Sequence, residues 1–373
     1  MNILVITPDY PDDKRTAFSF VKQLVDELAR QGNSIQVVAP YSVTHNKRFI
    51  SRVSTYYVDA NSVIVYRPRY LSISNIKFGK QGVTDLIKSR AFRRGLKMLK
   101  ETPDIVYGHF WSSAYEGFHY AYNHHLPLFV ASGESEIEYR LTNDDSRKFC
   151  EYVTGVICVS TKNMEESVNL GLTREDKCIV LPNAINPKKF FKKDKVTCRK
   201  KLGYQEDSFI VVFVGWFNER KGAKRVSEAL IQINKEIDVY SIFIGEGEDV
   251  PDCPNILFKG RVQHSLIVDY LNASDVFVLP TLHEGCCNAI IEAMACGLPI
   301  VSSNMSFNAD VLHEGNSILV NPTDINEISC AIKRMRDDDM LRKELSKNAL
   351  ETARRLSINN RAQRILFFIK KKI

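Results

Sequence analysis

Residues 283–297, HEGCCNAIIEAMACG, place two glutamates, Glu284 and Glu292, eight positions apart around a turn rich in small residues. The apolar run DVFVLP (275–280) precedes them and the strand-like LPIVSS follows. A turn that leaves a strand and opens a helix exposes the amides near Gly285, Cys286 and Cys287 as unpaired donors. With the helix macrodipole behind them, they form a site for phosphate. Were all the residues between the two acids helical, the carboxylates would stand ~12 Å apart along the axis. That exceeds either carboxyl separation of a glycoside hydrolase pair and argues against joint acid–base work. It suits two anchors on one extended ligand with a phosphate between them. From spacing alone, Glu292 reads equally well as a solvated helix residue and Glu284 as a loop residue.

FVGWFNERKG (213–222) also runs from strand through turn to helix, and Arg220 and Lys221 close that turn where a cation could reach the same phosphates. Alone, the pair reads more simply as solvated charge. FIGEGED (243–249) is a glycine-bearing turn that permits close backbone approach. The chain has no GxxxxGK[ST], and ITPDYPDD after the first strand lacks GxGxxG, so P-loop and nicotinamide readings have no fingerprint. His109 ends the run DIVYGH; a lone histidine at a strand end is usually structural. The other histidines show no metal spacing, HEG at 283 and 313 is not HExxH, and no CxxC occurs among nine cysteines. No metal site is expected.

The elements that must position these residues alternate along nearly the whole chain. Apolar runs at 2–8, 34–40, SVIVYRP, 104–110, 126–134 and 155–160 are separated by helical patterns at 18–31, 84–101 and 112–124. Continuous Val, Ile and Leu runs belong to parallel strands buried on both faces. The segment 181–203, with Pro, Asn and a dense lysine run, reads as a linker. The rhythm then restarts: strands at 208–215, 239–245, 255–260, 275–280, 299–303 and 317–322, helices near 223–236, 264–273 and 288–296, then two more helices. The expected fold is α/β, two doubly wound Rossmann-like domains facing a central cleft. The expected domains are 1–183, on the acceptor side, and 184–355, with a C-terminal helix at about 356–373 packing back on the first. Ligands of such sheets bind beyond the carboxyl ends of the strands.

For 373 residues, two domains are the prior. A hydrophobic share of 44% with 25% charged residues excludes a disordered or fibrous chain. No apolar run reaches the ~20 residues of a membrane helix, and MNILVITPDYP has no signal-peptide pattern. Scattered cysteines suit a reducing cytoplasm. The formal charge of +7 is compatible with an anionic ligand, a membrane surface or plain solubility.

HEGCCNAIIEAMACGLPIVSS, with VGWFNERKG, LPNAIN, FKGRV, ASDVFVLPT and ADVLHEGNSILVNPTD, resembles the retaining, nucleotide-sugar-dependent glycosyltransferases of family 4, of the GT-B fold. The match covers the second domain in order; in the first it is looser, through strand order and YGHFWSSAYEG. The resemblance implies that Glu284, first acid of the family's E-x7-E motif, contacts donor sugar hydroxyls and that Glu292 holds the ribose. It implies that amides near Cys286 and Cys287, with Lys221, bind the diphosphate, and that Gly260, Arg261 and Val262 meet the base through backbone. His109 matches a histidine near the reacting sugar. Three positions depart from the family pattern. Trp216 stands where an arginine often follows the strand glycine, which passes that phosphate charge to Lys221, the amides or Arg220. Thr16 and Ala17 replace the glycine-rich first loop. Ser132-Gly133, with Glu134 behind, replaces a His-Gly pair and bears on the acceptor side.

The resemblance further implies retention of anomeric configuration by front-face attack, no essential metal or cofactor, and a glycan or lipid-linked acceptor in surface polysaccharide or glycolipid synthesis. A nucleotide-sugar 2-epimerase and a non-catalytic nucleotide-sugar-binding subunit are the competing readings. LIKSRAFRRGLKMLK (86–100) carries six basic residues and no acid, with Leu86, Ala91, Phe92, Leu96 and Leu99 spaced for one helical face. It suggests peripheral contact with anionic lipid at the inner face of the cell membrane. The alternative packs that apolar face on the sheet and leaves the cations in solvent. A nucleic-acid groove is not supported, for want of interleaved aromatics on a recognisable module.

Overall fold

The computed structural model describes residues 1–12, 17–44, 50–72, 77–78 and 81–373. The chain divides into two compact units: Met1–Val159 with Asn163–Leu181 and Arg361–Ile373, and Ser160–Lys162 with Pro182–Asn360. Each is built on one sheet whose central strands are the Val- and Ile-rich runs, buried on both faces as parallel strands require.

In the first unit the eight-stranded order is Cys178–Val180, Gly155–Cys158, Leu128–Ser132, Ile105–His109, Asn2–Ile6, Ser34–Val38, Asn61–Tyr66, Val53–Val58. All neighbours are parallel except the last pair, which is antiparallel. The chain order reverses between Asn2–Ile6 and Ile105–His109. In the second unit six parallel strands run Ile256–Gly260, Tyr240–Ile244, Ile210–Val214, Val276–Leu279, Ile300–Ser303, Ser317–Val320. There the reversal falls between Ile210–Val214 and Val276–Leu279. At such a reversal the connections leave for opposite faces, and a crevice opens at the carboxyl ends of the two strands. The loops that follow these two strands carry Lys221 and Glu284.

Gly245 is required by its surroundings. Its φ of +156° and its carbonyl neighbour, Gly215 O, only 1.9 Å from where a Cβ would stand, leave no room for a side chain. This close approach lets Gly215 N donate to Ile244 O at 3.0 Å and Gly245 N to Gly260 O at 2.9 Å. Three post-strand turns are thereby tied together through backbone alone.

Several elements differ from the sequence reading. The segment 181–203 holds a helix, Lys195–Leu202, with Asp194 accepting from Thr197 N at 2.8 Å and Gly203 closing it at φ +74°. Its lysines hid the buried side, where the Arg199 guanidinium meets Asp275 at 2.7 Å. The edge strand Val53–Val58 and the helices Asp144–Tyr152 and Thr161–Asn169 also went unread, being short and rich in polar residues. Three helices close the chain, Ile325–Asp337, Asp339–Arg355 and Ile358–Lys372. The last brings Phe368 edge-on to Phe129 in the first unit, ring centres 6.2 Å apart.

The helix Val83–Leu96 ends earlier than expected and buries Ala91, Phe92 and Leu96 in the core of its own unit. Its apolar stripe is therefore packed rather than presented; Leu86 is exposed, as are Arg90, Arg93, Arg94 and Lys97. Among the described residues no helix is long and apolar enough to cross a membrane.

Candidate active site

In the second unit, four loops converge at the carboxyl ends of the strands. Leu282 N donates to Arg220 O at 2.8 Å, and the Arg225 guanidinium to Pro280 O at 2.8 Å, so the turns after Ile210–Val214 and Val276–Leu279 are tied together. Gly222, at φ +80°, stops the first turn and opens the helix Ala223–Ile233, which fixes the direction of Lys221. The Lys221 ammonium is buried and lies against Glu284 Oε1, with Cys287 Sγ at 3.7 Å. Glu284 Oε1 also accepts from Arg220 Nη1 at 2.6 Å and Thr281 Oγ1 at 3.3 Å. Arg220 holds His283 O at 2.7 Å as well.

Burial alone would lower the Lys221 ammonium, but the negative charge beside it outweighs burial and the net direction is up. Burial raises the Cys287 thiol more than Lys221 beside it lowers it, so Cys287 stays neutral. Glu284 is then the partner that keeps Lys221 charged. The result is a buried cation with one carboxylate, next to the start of the helix Asn288–Ala295, which no side-chain hydrogen bond caps. Its N-terminal field and the Lys221 charge point to the same place, the arrangement that binds phosphate oxygens.

Gly285, Cys286 and Cys287 are buried in that turn. Asn183 secures it from the side, its Nδ2 donating to Cys286 O at 2.9 Å and its amide meeting Cys286 Sγ at 3.4 Å. Asn183 escaped the sequence reading because it lay inside the supposed linker; the LPN triplet is the signal that marked it. Glu292 lies one turn into the helix, where His264 Nε2 stands 3.2 Å from its Oε1. His264 follows the turn Gly260-Arg261-Val262 and packs edge-on to Phe190. No local signal in the sequence marks it, because its partner Glu292 lies 28 positions further on. Arg261 pairs with Glu246 at 3.1 Å, and a Cβ at Gly260, whose φ is +144°, would meet only Phe258 Cζ, at 3.9 Å. Trp216 is 57% exposed at the lip of its turn.

The first unit gathers a second set at its own strand reversal. His109 is buried, its ring centre 4.6 Å from Phe110 and 5.3 Å from Phe20. Its Nδ1 has no partner among the described residues. Burial, and then the Arg361 charge, push the imidazole down to about 3. Ser132 is fully buried and its hydroxyl donates to Glu134 Oε2 at 3.2 Å. Glu134 also accepts from Gly133 N and Trp111 N, each at 2.8 Å, which ties it to the start of the helix Trp111–Asn123. Burial raises the Glu134 carboxyl against the pull of those amides. Ser132 and Glu134 thus hold the strand end and helix start in place. Ala17 is exposed, and Thr16 lies outside the described residues.

A neutral buried His109 has a measurable consequence. Above pH ~6.5 neither folded nor unfolded chain protonates it; between there and its folded value only the unfolded chain binds the proton, so stability falls as pH falls, by up to ~1.4 kcal/mol per unit. His109→Asn is expected to flatten that part of the slope in urea unfolding from about pH 6 to about pH 4. An unchanged slope would contradict burial of the neutral ring.

Among the described residues no group of three or more His, Cys, Asp or Glu is placed to hold a metal ion.

The fold is that of the GT-B glycosyltransferases. Anabaena HepE, crystallised in complex with UDP, matches with a TM-score of 0.74 at 15% identity, covering 100% of both chains. In sequence, residues 17–189 match the model described as Glycosyltransferase Family 4 and residues 194–352 that of Glycosyl transferases group 1. The two models together take in most of the chain, and this chain belongs to the family 4 glycosyltransferases. The putative teichuronic acid biosynthesis glycosyltransferase TuaC of Bacillus subtilis is 26% identical over 94% of this chain and 92% of its own. The UDP-Gal:alpha-D-GlcNAc-diphosphoundecaprenol alpha-1,3-galactosyltransferase of Escherichia coli is 31% identical over 50% of this chain and 52% of its own.

Proposed function

We propose that this glycosyltransferase moves a sugar from a nucleoside-diphosphate donor to a glycan or lipid-linked acceptor, with retention of configuration and without a metal, in surface polysaccharide or glycolipid synthesis. The observation that carries the reading is the buried Lys221–Glu284 pair beside the uncapped start of Asn288–Ala295. In this reading the bond between the anomeric carbon and the diphosphate oxygen breaks, and the electron pair leaves with the diphosphate. Lys221 and the amides at the helix start meet that growing charge, an electrostatic contribution that usually dominates such catalysis. The acceptor hydroxyl attacks from the same face, and its proton passes to a departing diphosphate oxygen. Glu284 hydrogen-bonds the donor sugar, Glu292 the ribose, and the backbone at Gly260–Val262 meets the base. Arg220 supplies the charge that an arginine at Trp216 would have given. His109 is assigned to the reacting sugar as a neutral hydrogen-bonding group, and Ala17 and Gly133 to the loops that frame the substrates.

The UDP of the HepE complex and the UDP-galactose named for the Escherichia coli relative make uridine donors the first to test. A true donor stabilises by mass action, about 2.7 kcal/mol at a hundredfold excess over its Kd. A panel of nucleotide sugars should therefore raise the Tm with one base and sugar preferred, and proton NMR of the product should give the donor's own anomer. A panel in which nothing raises the Tm, or an inverted product, would end the reading.

In this reading the enzyme works in the cytoplasm at the inner face of the membrane. With the apolar stripe packed inside, membrane contact falls to the outward cations, among them Arg90 and Arg94, and is electrostatic. Co-sedimentation with phosphatidylglycerol vesicles at low salt, lost at high salt and in Arg90→Ser/Arg94→Ser, is expected. No sedimentation at low salt would rule it out.

A further inference from the structure

The first unit contains a cavity of about 660 Å³ between the helices Val83–Leu96 and Trp111–Asn123 and the turn 97–102. That turn leads into the amino end of Ile105–His109, so the cavity lies at the opposite end of the sheet from His109 and Glu134. It therefore belongs to neither set of site residues described above. Its volume is that of a site for a small organic molecule.

Its lining divides into two chemistries. Arg93, Lys97 and Lys100 line the cavity and are exposed, with no ion-pair partner among the described residues. Two acids, Glu101 and Glu116, also line it, and the Arg93 charge reaches Glu116. Glu101 accepts from Asn2 Nδ2 at 3.4 Å; Glu116 accepts from Ser89 Oγ at 2.8 Å, and burial raises its carboxyl. An apolar and aromatic wall completes the lining, with Leu96 and Leu99 interleaved among those cations and Tyr115 and Tyr120 on the helix Trp111–Asn123. All four belong to the core of the unit or pack against it, so this wall is already fixed before any ligand arrives. The Tyr115 hydroxyl is further held by Asp145 at 2.7 Å.

Three cations facing one space favour a dianion over a single carboxylate, and a guanidinium among them can grip two oxygens at once. The wall beside them offers burial to hydrocarbon or ring, which a bare ion would not use. We propose that this cavity is a second binding site, for a phosphate group carried on an apolar body. That chemistry is shared by an anionic lipid headgroup and a soluble phosphorylated amphiphile.

Calorimetric titration of the full chain with dihexanoyl phosphatidic acid, below its micelle concentration, is the test. Saturable one-to-one binding is expected, at least tenfold weaker in Lys97→Ser/Lys100→Ser, while UDP neither displaces the lipid nor binds the variant differently. Inorganic phosphate should bind at least tenfold more weakly than the phosphatidic acid. Sedimentation of the wild type with phosphatidic acid vesicles, lost in the variant, would assign the ligand to a membrane. Binding of the short-chain lipid without sedimentation would make it a soluble amphiphile; either supports the site. No saturable binding, an unaltered Kd in the variant, equal binding of dihexanoyl phosphatidylcholine, or displacement by UDP would overturn it. None of those results bears on donor binding in the second unit, so the two proposals fail separately.

Discussion

Lys221→Met is expected to lower kcat by about 10²–10³-fold, with a smaller change in the donor KM. The side chain keeps its length and loses its charge, and that charge is aimed where the leaving diphosphate would gather its own. Because Lys221 is buried against Glu284, removing it also strands part of a carboxylate; Arg220, at 2.6 Å from the same oxygen, remains to cover it. The variant should therefore fold, and urea unfolding would verify this. Glu284→Gln should fall by about 10²-fold, and the double variant by much less than the product of the two, since the pair acts as a unit. A structural role alone would lower stability and leave kcat of the folded fraction intact. Full activity in Lys221→Met would remove the assignment of the leaving-group cation.

Glu292→Ala is expected to act on the other kinetic constant. A hydrogen bond from a hydroxyl to a charged carboxylate is worth about 1.5–3 kcal/mol, so the donor KM should rise about 10–150-fold while kcat changes little. The decisive control is the 2′-deoxy donor: the native enzyme should discriminate against it and the variant should not. His264 shares Glu292 Oε1 at 3.2 Å, and His264→Ala should leave the discrimination in place, since the carboxylate itself remains. Equal use of both donors by the native enzyme would take the ribose away from Glu292.

Part of this site was legible in the sequence for a simple reason: it lies on consecutive residues. Glu284, the small-residue turn and the helix that follows fall within fifteen positions, and a strand–turn–helix pattern dictates how they stand. What joins Glu284 to Lys221 was not legible, because the two are 63 positions apart and meet only where parallel strands place their loops side by side. His264 and Asn183 were missed on the same ground, each acting on a residue far along the chain. Periodicity found the buried parallel strands because both faces are apolar. It failed at Val53–Val58, an edge strand with one face in solvent, and at Lys195–Leu202, whose buried contact is made by an arginine. Ser132 and Glu134 mark a different limit. Their position after a strand pointed outward to a substrate, whereas their hydrogen bonds run inward to the helix start.

The central claim is that the turn at Gly285–Cys287 and the Lys221 ammonium together seat a diphosphate. The most direct measurement is a crystal structure of the enzyme with its donor, or with UDP. The account predicts the diphosphate at the start of Asn288–Ala295, Lys221 Nζ within hydrogen-bonding distance of it, and the ribose on Glu292. A diphosphate bound elsewhere, with Lys221 still closed on Glu284, would contradict it.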